Sequence, residues 1–520
     1  MKIAFALILS LVFYCLQAQQ DDFSVFTKYT NGDTIIVNTN PTHQTFDDTI
    51  GMQHSSINSY RFLLYRSSGN KTAFINKPLA SAEVMAGSDF SNKLNAGLIS
   101  GFVSGKFSAV AFPSVIFADY PMFVAEKFDS MNVFPYQGKT LFSSGNAFGV
   151  LSVPVYLKYD LGNILSLEGG NGKAFLGDGY RSMLLSDQSA EYPFLRIVAD
   201  MKQVKYMHQI ARWRQQSSAG NNETKFAATH YLSWMITKKL NVSVFESVIW
   251  KAEDSVRQRG FEWLYLNPVM FFRPAEFALG SPDNNLLGGN ISWYFLPKTK
   301  VYGQFVLDEF FISEIKNWLK HLMHPDDPTI QHGAWVNKQA FQLGVKSMDV
   351  FGIHDLNCLA EFNYARPYIG SHRDPMLSNT HMNQPIAHPF GANFYEFVFR
   401  TQYKKQKWSA HLNAMFCVTG LDSAGTHFGQ DLLQSTFDSP QGNGNIPVQY
   451  YGNVVGQGIR HDVIQVNAEF RKQLFKMNNN IIWRIGAMYR NDMSAFNNTS
   501  EKYIYTGLFL NLQPDEWNMR

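Results

Sequence analysis

The sequence predicts an all-β protein, a transmembrane antiparallel β-barrel of about 18 strands with a small N-terminal plug or helical segment. Three observations predict it. The first is strict alternation. From Tyr395 to Tyr403, Phe397, Phe399, Thr401 and Tyr403 are mostly apolar, while Glu396, Val398, Arg400 and Gln402 are mostly polar. After Lys404–Lys407, Trp408, Ala410, Leu412, Ala414 and Phe416 alternate with Ser409, His411, Asn413 and Met415. Side chains on a strand point to opposite faces with period two, so this stretch is a hairpin. Its strands, about nine or ten residues each, cross a bilayer when tilted. A soluble hairpin with one face on a core reads the same way, so the other two observations decide.

The second observation is that connections sort by length. Asp160–Asn163, Lys238–Leu240, Pro297–Lys300, Lys404–Lys407 and Lys472–Asn480 are short; Asp119–Asn146, Gly170–Tyr192, Ile312–Asn337, Ala365–Phe394 and Leu421–Asp462 are long. Short and long alternate along the chain, as they do in outer-membrane barrels with short periplasmic turns and longer external loops. The third is the address. Lys2, the apolar run Ile3–Leu16 and Leu16-Gln17-Ala18 read as a signal peptide over residues 1–18, cleaved before Gln19. No later apolar run approaches the roughly 18–20 residues of a membrane helix. A membrane-spanning form must therefore be a closed barrel.

Taken in order, residues 19–92 read as an N-terminal plug or periplasmic segment, in which Ser55-Ser56-Ile57-Asn58 could open a short helix. Residues 93–520 read as the barrel. Phe107, Ala109 and Ala111 oppose Ser108 and Val110; Leu151, Val153, Val155 and Leu157 oppose Ser152, Tyr156 and Lys158. Leu195 and Ile197 oppose Arg196, Val242 and Val244 oppose Ser243, and Phe341, Leu343 and Val345 oppose Gln342 and Lys346. Gly260–Phe277 is the weakest part of the strand count, because Pro268 and Pro274 interrupt it. Ile481, Trp483, Ile485, Ala487 and Tyr489 share a face that excludes Arg484. Truncating luminal Arg484 is expected to be milder than placing a charge at Ile485. Cys358 and Cys417 fall on opposite faces, as free thiols.

A net charge of +3 over 520 residues gives no electrostatic case for nucleic acid. The chain has no G-x-S-x-G, P-loop or H-E-x-x-H, so no catalytic residue and no cofactor is assigned. Ser409 and His411 share the luminal face of one strand but are neighbours by parity alone, a weak case for a nucleophile and its base. His372, His381 and His388 share one loop, where Asp374 is the only acid between Arg366 and Asn393; that spacing does not make a metal site.

Several long motifs lie in or beside the long connections: GDGYRSMLLSD with YPFLRI, NPVMFFRPAEFALGSPDN, VYGQFVLDEF, NKQAFQLGVKSMD, and RPY followed by HMNQPIAHPFGANFYE. Together, over Lys93–Tyr403, they resemble the Bacteroidetes outer-membrane barrel family of Wzi-type capsule-assembly and RemB-type gliding-motility proteins, the RemB-type branch more closely. The resemblance implies an outer-membrane barrel with a non-enzymatic role at the cell surface, in polysaccharide attachment, capsule assembly or gliding. Its implied partners are outer-membrane lipid, surface polysaccharide, and gliding or secretion machinery. The alternative is a barrel that conducts solute.

Asp178, Arg181, Asp283, Arg366, His381, His388 and Asn393 come from three long connections that the loop sorting places at one mouth. They are the candidate ligand-binding residues, since arginine forks grip acids and loop carbonyls alike. The competing reading makes them, with Arg196, Arg273, Glu276, Asp308, Glu309, Arg373, Glu396 and Arg400, braces of a polar lumen. Gly442-Asn443-Gly444-Asn445 with Tyr450 and Tyr451 adds amides and aromatics suited to carbohydrate.

Overall fold

Period-two alternation is realised as a closed wall. The computed structural model describes residues 72–125, 140–144, 147–216, 222–252, 260–268, 283–309, 312–423, 426–436, 449–475 and 481–511, with isolated positions and three two-residue strands before residue 72. The signal peptide, Arg273, Glu276 and Gly442–Asn445 lie outside the described residues.

The first wall strands are β1 (Thr72–Gly87), β2 (Phe90–Ser104), β3 (Phe107–Ala111, continued by Ser114–Asp119) and β4 (Ala147–Ser152, continued by Val155–Asp160). Next come β5 (Leu165–Gly172), β6 (Tyr192–Met201), β7 (Val204–Gln216), β8 (Asn222–Met235) and β9 (Leu240–Lys251). Then follow β10 (Asn284–Leu296), β11 (Thr299–Leu307), β12 (Gln339–Ser347), β13 (Leu356–Ala365) and β14 (Phe394–Lys405). The last are β15 (Trp408–Leu421), β16 (Ile459–Phe475), β17 (Ile481–Ser494) and β18 (Asn498–Leu510). The breaks in β3 and β4 fall at Pro113 and Pro154, which have no N–H to give the ladder. Each strand pairs antiparallel with the next, and β18 closes on β1 from Tyr503↔Gly87 to Leu510↔Ala80, giving a closed barrel of 18 strands. Closure leaves no sheet edge in lipid.

The wall begins at Thr72, inside the segment 19–92 expected to form the plug. The reason is legible: β1 reads TAFINKPLASAEVMAG, with Pro78 at its centre and small residues where large apolar ones mark the other strands. Of the residues before it, Ile57–Asn58 is a strand and not a helix start, and it pairs with Phe175–Leu176 in the connection after β5. The long connections meet at one end of the barrel as the sorting predicts. One of them, between β11 and β12, carries a helix, α1 (Ile312–Met323), that the sequence reading left as loop.

Burial is inverted relative to a soluble protein. Leu195, Ile197, Phe305, Leu343, Phe397, Phe399 and Ile504 are exposed on the outer face, whereas Arg196, Gln304, Gln342, Glu361, Glu396, Arg484 and Arg490 are buried inside. That is the pattern of a lipid-facing wall around a polar interior. Cys358 and Cys417 carry thiols and form no disulfide with each other.

One outer patch departs from it. In register, His208 opposes His230 and His230 opposes Glu246, all on the outward face with Tyr206. The segment Phe261–Pro268, where a strand was doubtful, lies across them as a short 3-10 turn at Trp263–Leu266. His208 Nε2 meets the Tyr265 carbonyl at 3.1 Å and the Tyr206 hydroxyl donates to the Pro268 carbonyl at 2.5 Å. Tyr265 packs on Trp250 and its hydroxyl donates to Asp283 at 2.7 Å, while Trp263, Leu264 and Leu266 point outward. Irregular backbone survives beside lipid only where protein satisfies it, and the polar row does so.

The interior also corrects the expectation for Arg484. It is fully buried, pairs with Glu83 across β18, and reaches Glu469 at 3.4 Å. Arg484→Ala should therefore cost about 3–5 kcal/mol by stranding buried carboxylate. Ile485→Arg, at an outward site 39% exposed, should cost about 2–4 kcal/mol. Denaturant titration read by heat-modifiable gel migration measures both; a neutral Arg484→Ala would remove the luminal ion pair as a brace.

Candidate functional site

The functional question turns on what fills the lumen. The connection after β5, residues 173–191, folds inward and runs down the wall. The Asp178 carboxylate accepts from Lys300 at 2.8 Å and from Asn290 Nδ2 at 2.8 Å. Asn290 stands mid-strand in β10 and Lys300 is the second residue of β11, so this loop enters the lumen. Burial pushes the Asp178 carboxyl up, but Lys300 more than offsets it and holds the carboxyl below its ordinary value.

Further along the loop, Glu361 on β13 accepts the backbone N–H of Tyr180 at 2.7 Å and of Arg181 at 3.0 Å. The Tyr302 hydroxyl donates to the same carboxylate at 2.7 Å. Gln342 Nε2 donates to the Arg181 carbonyl at 3.0 Å, and Met183 N–H to Gln304 at 2.8 Å. One strand on, Glu396 takes Arg181 at 3.4 Å, Asn363 Nδ2 at 2.9 Å and His388 Nε2 at 2.9 Å. The Arg400 guanidinium lies over the Tyr180 ring, 4.1 Å from its centroid. Removing a partner from such buried polar groups costs more than making the bond gains.

The connection between β13 and β14, residues 366–393, folds onto the first. Ser186 N–H donates to the Ile386 carbonyl at 2.8 Å. Lys225 of β8 donates to the Ser378 carbonyl at 2.7 Å and Asn284 of β10 to the Leu377 carbonyl at 2.9 Å. His381 Nδ1 accepts Arg214 N–H at 3.0 Å and Nε2 faces the Glu191 carbonyl at 3.1 Å, so the neutral ring with its proton on Nε2 satisfies both. Asn393, at φ 58°, ties this loop to the next: its Nδ2 donates to Gly420 and Gln457 carbonyls at 2.9 Å, and its Oδ1 accepts Gly456 N–H at 2.8 Å. A small cavity of about 30 Å³ remains between the loops and the wall, lined by Met183, Leu286, Ile369, His388 and Leu432.

The structure brings together Arg181 and His388, which share Glu396. The other candidates work elsewhere: Asp178 at Lys300, Asp283 at Tyr265, Arg366 on the Ala334 carbonyl at 3.2 Å, His381 at Arg214, and Asn393 on the 422–458 loop. They do not form one shared mouth site. All are buried, so a ligand at the mouth does not meet them while the loops are docked. Glu361, Tyr302, Gln342 and Asn363 are the network members the candidate set lacked. Their signal was parity alone: each is the polar, inward residue of an alternating strand, indistinguishable by sequence from a solvated lumen residue. Ser409 Oγ lies 2.9 Å from His411 Nε2, but Glu469, opposite His411 in register, is engaged by Arg471, Arg484 and Tyr505.

Since Arg181 and His388 both engage Glu396, Arg181→Ala and His388→Ala should couple in a double-mutant cycle by at least about 0.5 kcal/mol. Arg181→Ala and Arg366→Ala, with separate partners, should add; clean additivity in the first pair would break the shared-carboxylate assignment.

Burial, with Lys225, Arg214 and Lys173 nearby, pushes His381 down from 6.5 to about 3. An undocked loop then takes up the proton first, so docking is intact above pH 6.5 and weakens as pH falls toward 3. The slope reaches about 1.4 kcal/mol per pH unit. Protease cleavage within 366–393 should rise across that window, and His381→Gln should flatten the profile.

No protein-family model matches the chain, and no curated protein matches it. Among solved structures, the chain is similar to Wzi, an outer-membrane protein of Escherichia coli involved in group 1 capsule assembly and described as a carbohydrate-binding β-barrel. The match covers 85% of each chain at 10% identity with a TM-score of 0.50. Pseudomonas aeruginosa OccK7 (OpdD) matches over 85% of this chain and 98% of its own, at 9% identity and TM-score 0.42. Acinetobacter baumannii OccAB2 matches over 84% and 97%, at 7% identity and TM-score 0.43. At these identities the likeness is one of fold: the chain is a closed barrel of the outer-membrane kind.

Proposed function

We propose that this protein works at the cell surface by holding polysaccharide, without an enzymatic step, and that its lumen is a support for loops and not a route for solute. The observation that carries the reading is the docking of residues 173–191 and 366–393 onto luminal carboxylates and amides from β8 to β14. The fold-level likeness to a carbohydrate-binding barrel of capsule assembly supports it. The motif resemblance to capsule and gliding proteins supports it further, and extends it to surface or secretion machinery of gliding as partners.

The candidates are buried beneath the docked loops, so the reading moves to the rim. Tyr450 and Tyr451 are 43% and 38% exposed, with ring centroids 4.7 Å apart. The turn that carries them is fixed beneath by Asn453, which donates to the Gly333 carbonyl at 3.0 Å. Exposed aromatic faces on a rigid turn suit stacking on sugar rings.

The second reading is a solute-conducting barrel, which the same fold also serves. Planar-bilayer recording separates the two. The polysaccharide reading expects near-silent traces that gain conductance in Glu361→Ala/Glu396→Ala, where the loops lose their seats. Steady open channels in the unmodified protein would reverse the assignment. In cells, Tyr450→Ala/Tyr451→Ala should lower retained surface polysaccharide several-fold while gel migration stays that of the folded barrel.

A further inference from the structure

The helix α1 has a face that none of the described loop or wall residues covers. Its buried side is set by Glu314, whose carboxylate accepts the N–H of Gly333 and, at 3.0 Å, of Ala334. Ala334 is in turn held by Arg366 at the top of β13. His321 stacks on His332 at 3.6 Å on the same side. Glu314 and His321 are two helical turns apart, so this side points toward the barrel mouth.

Around the rest of the helix the residues segregate. Trp318, Leu319, Leu322 and Met323 recur at helical spacing, and Leu322 and Met323 are 65% and 67% exposed. Lys316 and Lys320, one turn apart and also exposed, form the adjoining stripe. The connection that carries the helix joins Leu307 of β11 to Gln339 of β12. Just below that junction the outer wall carries Phe305, exposed, and the stacked pair Phe341–Tyr364 with centroids 4.7 Å apart. An apolar helix face bordered by lysines thus continues upward from a lipid-facing aromatic band.

We propose that α1 is an interfacial anchor that lies on the outer leaflet and binds an anionic glycolipid. Trp318, Leu319, Leu322 and Met323 enter the acyl layer, and Lys316 and Lys320 pair with headgroup phosphates. An in-plane helix with large apolar residues on one side and lysines beside them has this chemistry. The occupant is lipid and not free polysaccharide: Leu319, Leu322 and Met323 offer sugar no stacking face, and Trp318 beside them is a residue type that seats at membrane interfaces. The proposal rests on outer-membrane placement of the barrel and is independent of what the rim holds.

The test places an environment-sensitive fluorophore on Leu322→Cys in the full-length barrel with Cys358→Ala and Cys417→Ala. The barrel is reconstituted in phosphatidylcholine vesicles with or without lipid A. Blue-shifted emission, quenching by chain-brominated lipid and protection from aqueous iodide are expected. Lys316→Glu/Lys320→Glu should reduce co-purified lipid A at least two-fold and leave barrel migration unchanged. Iodide quenching without a blue shift would overturn the proposal. So would protection that depends on protein density, which indicates a second copy, or protection that appears only with acyl-free anionic polysaccharide.

Discussion

Glu361 is the group on which the interior depends. A carboxylate buried in a barrel needs its acceptor positions filled, and here two of the donors are the consecutive backbone amides of Tyr180 and Arg181. That arrangement works in both directions. The loop's amides would otherwise be buried without acceptors, and the carboxylate would otherwise be a buried charge with fewer donors. Glu396 repeats the logic with side chains, gathering Arg181, Asn363 and His388. Because Arg181 contributes its backbone to one acid and its guanidinium to the next, it fixes the loop's height and its rotation together.

The wall is built to let these acids be reached from a strand away. Glu361, Gly344 and Tyr302 stand in one register row, and a Cβ on Gly344 would collide with the Tyr302 ring. The absent side chain is what allows the tyrosine hydroxyl to cross β12 to the carboxylate. At the closing seam the same device recurs: Arg484 reaches Glu83 over Gly507, which separates them in register. Ladder hydrogen bonds between β18 and β1 close the cylinder, but they do not by themselves choose its register; an ion pair bridging β17 to β1 adds a side-chain constraint on it.

The wall was legible in the sequence because lipid imposes the rule that makes it so. Phe397 and Phe399 against Glu396 and Arg400 specify both faces of the strand, and the sorting of the connections turns that alternation from a soluble hairpin into a barrel wall. Where the rule relaxes, legibility fails for a physical reason. In β1, small residues and Pro78 suffice because the strand packs between paired neighbours, so no period announces it and the barrel boundary was set too late. The outward row His208, His230 and Glu246 breaks the rule openly; its explanation, the covering segment Phe261–Pro268, lies on a later connection, and no periodicity within β7, β8 or β9 announces it. Loop lengths revealed which connections share an end. They carried no information on whether a loop stands in solvent or folds inward, and so His381, Arg366 and Asn393 looked like a convergent site when each is a separate fastening.

This division bears on what the barrel can do. In a water-filled lumen, polar side chains are satisfied by solvent and loops are free to constrict or withdraw. Here the satisfying groups are loop amides and carbonyls: Ser378 for Lys225, Leu377 for Asn284, Tyr180 and Arg181 for Glu361. Withdrawing one loop would strand acceptors and cations on several strands at once, a penalty of about 1–3 kcal/mol for each group and more for charged ones. The loops are therefore part of the folded interior. A recognition surface must be sought on what they leave uncovered, and those surfaces are of two chemical kinds: paired aromatic rings on a braced turn, and an apolar helix face edged with lysine. The first is suited to flat sugar rings and the second to acyl chains beneath phosphate, so on the proposed reading one surface would hold a soluble ligand above the membrane while the other would fix the mouth to the leaflet around it.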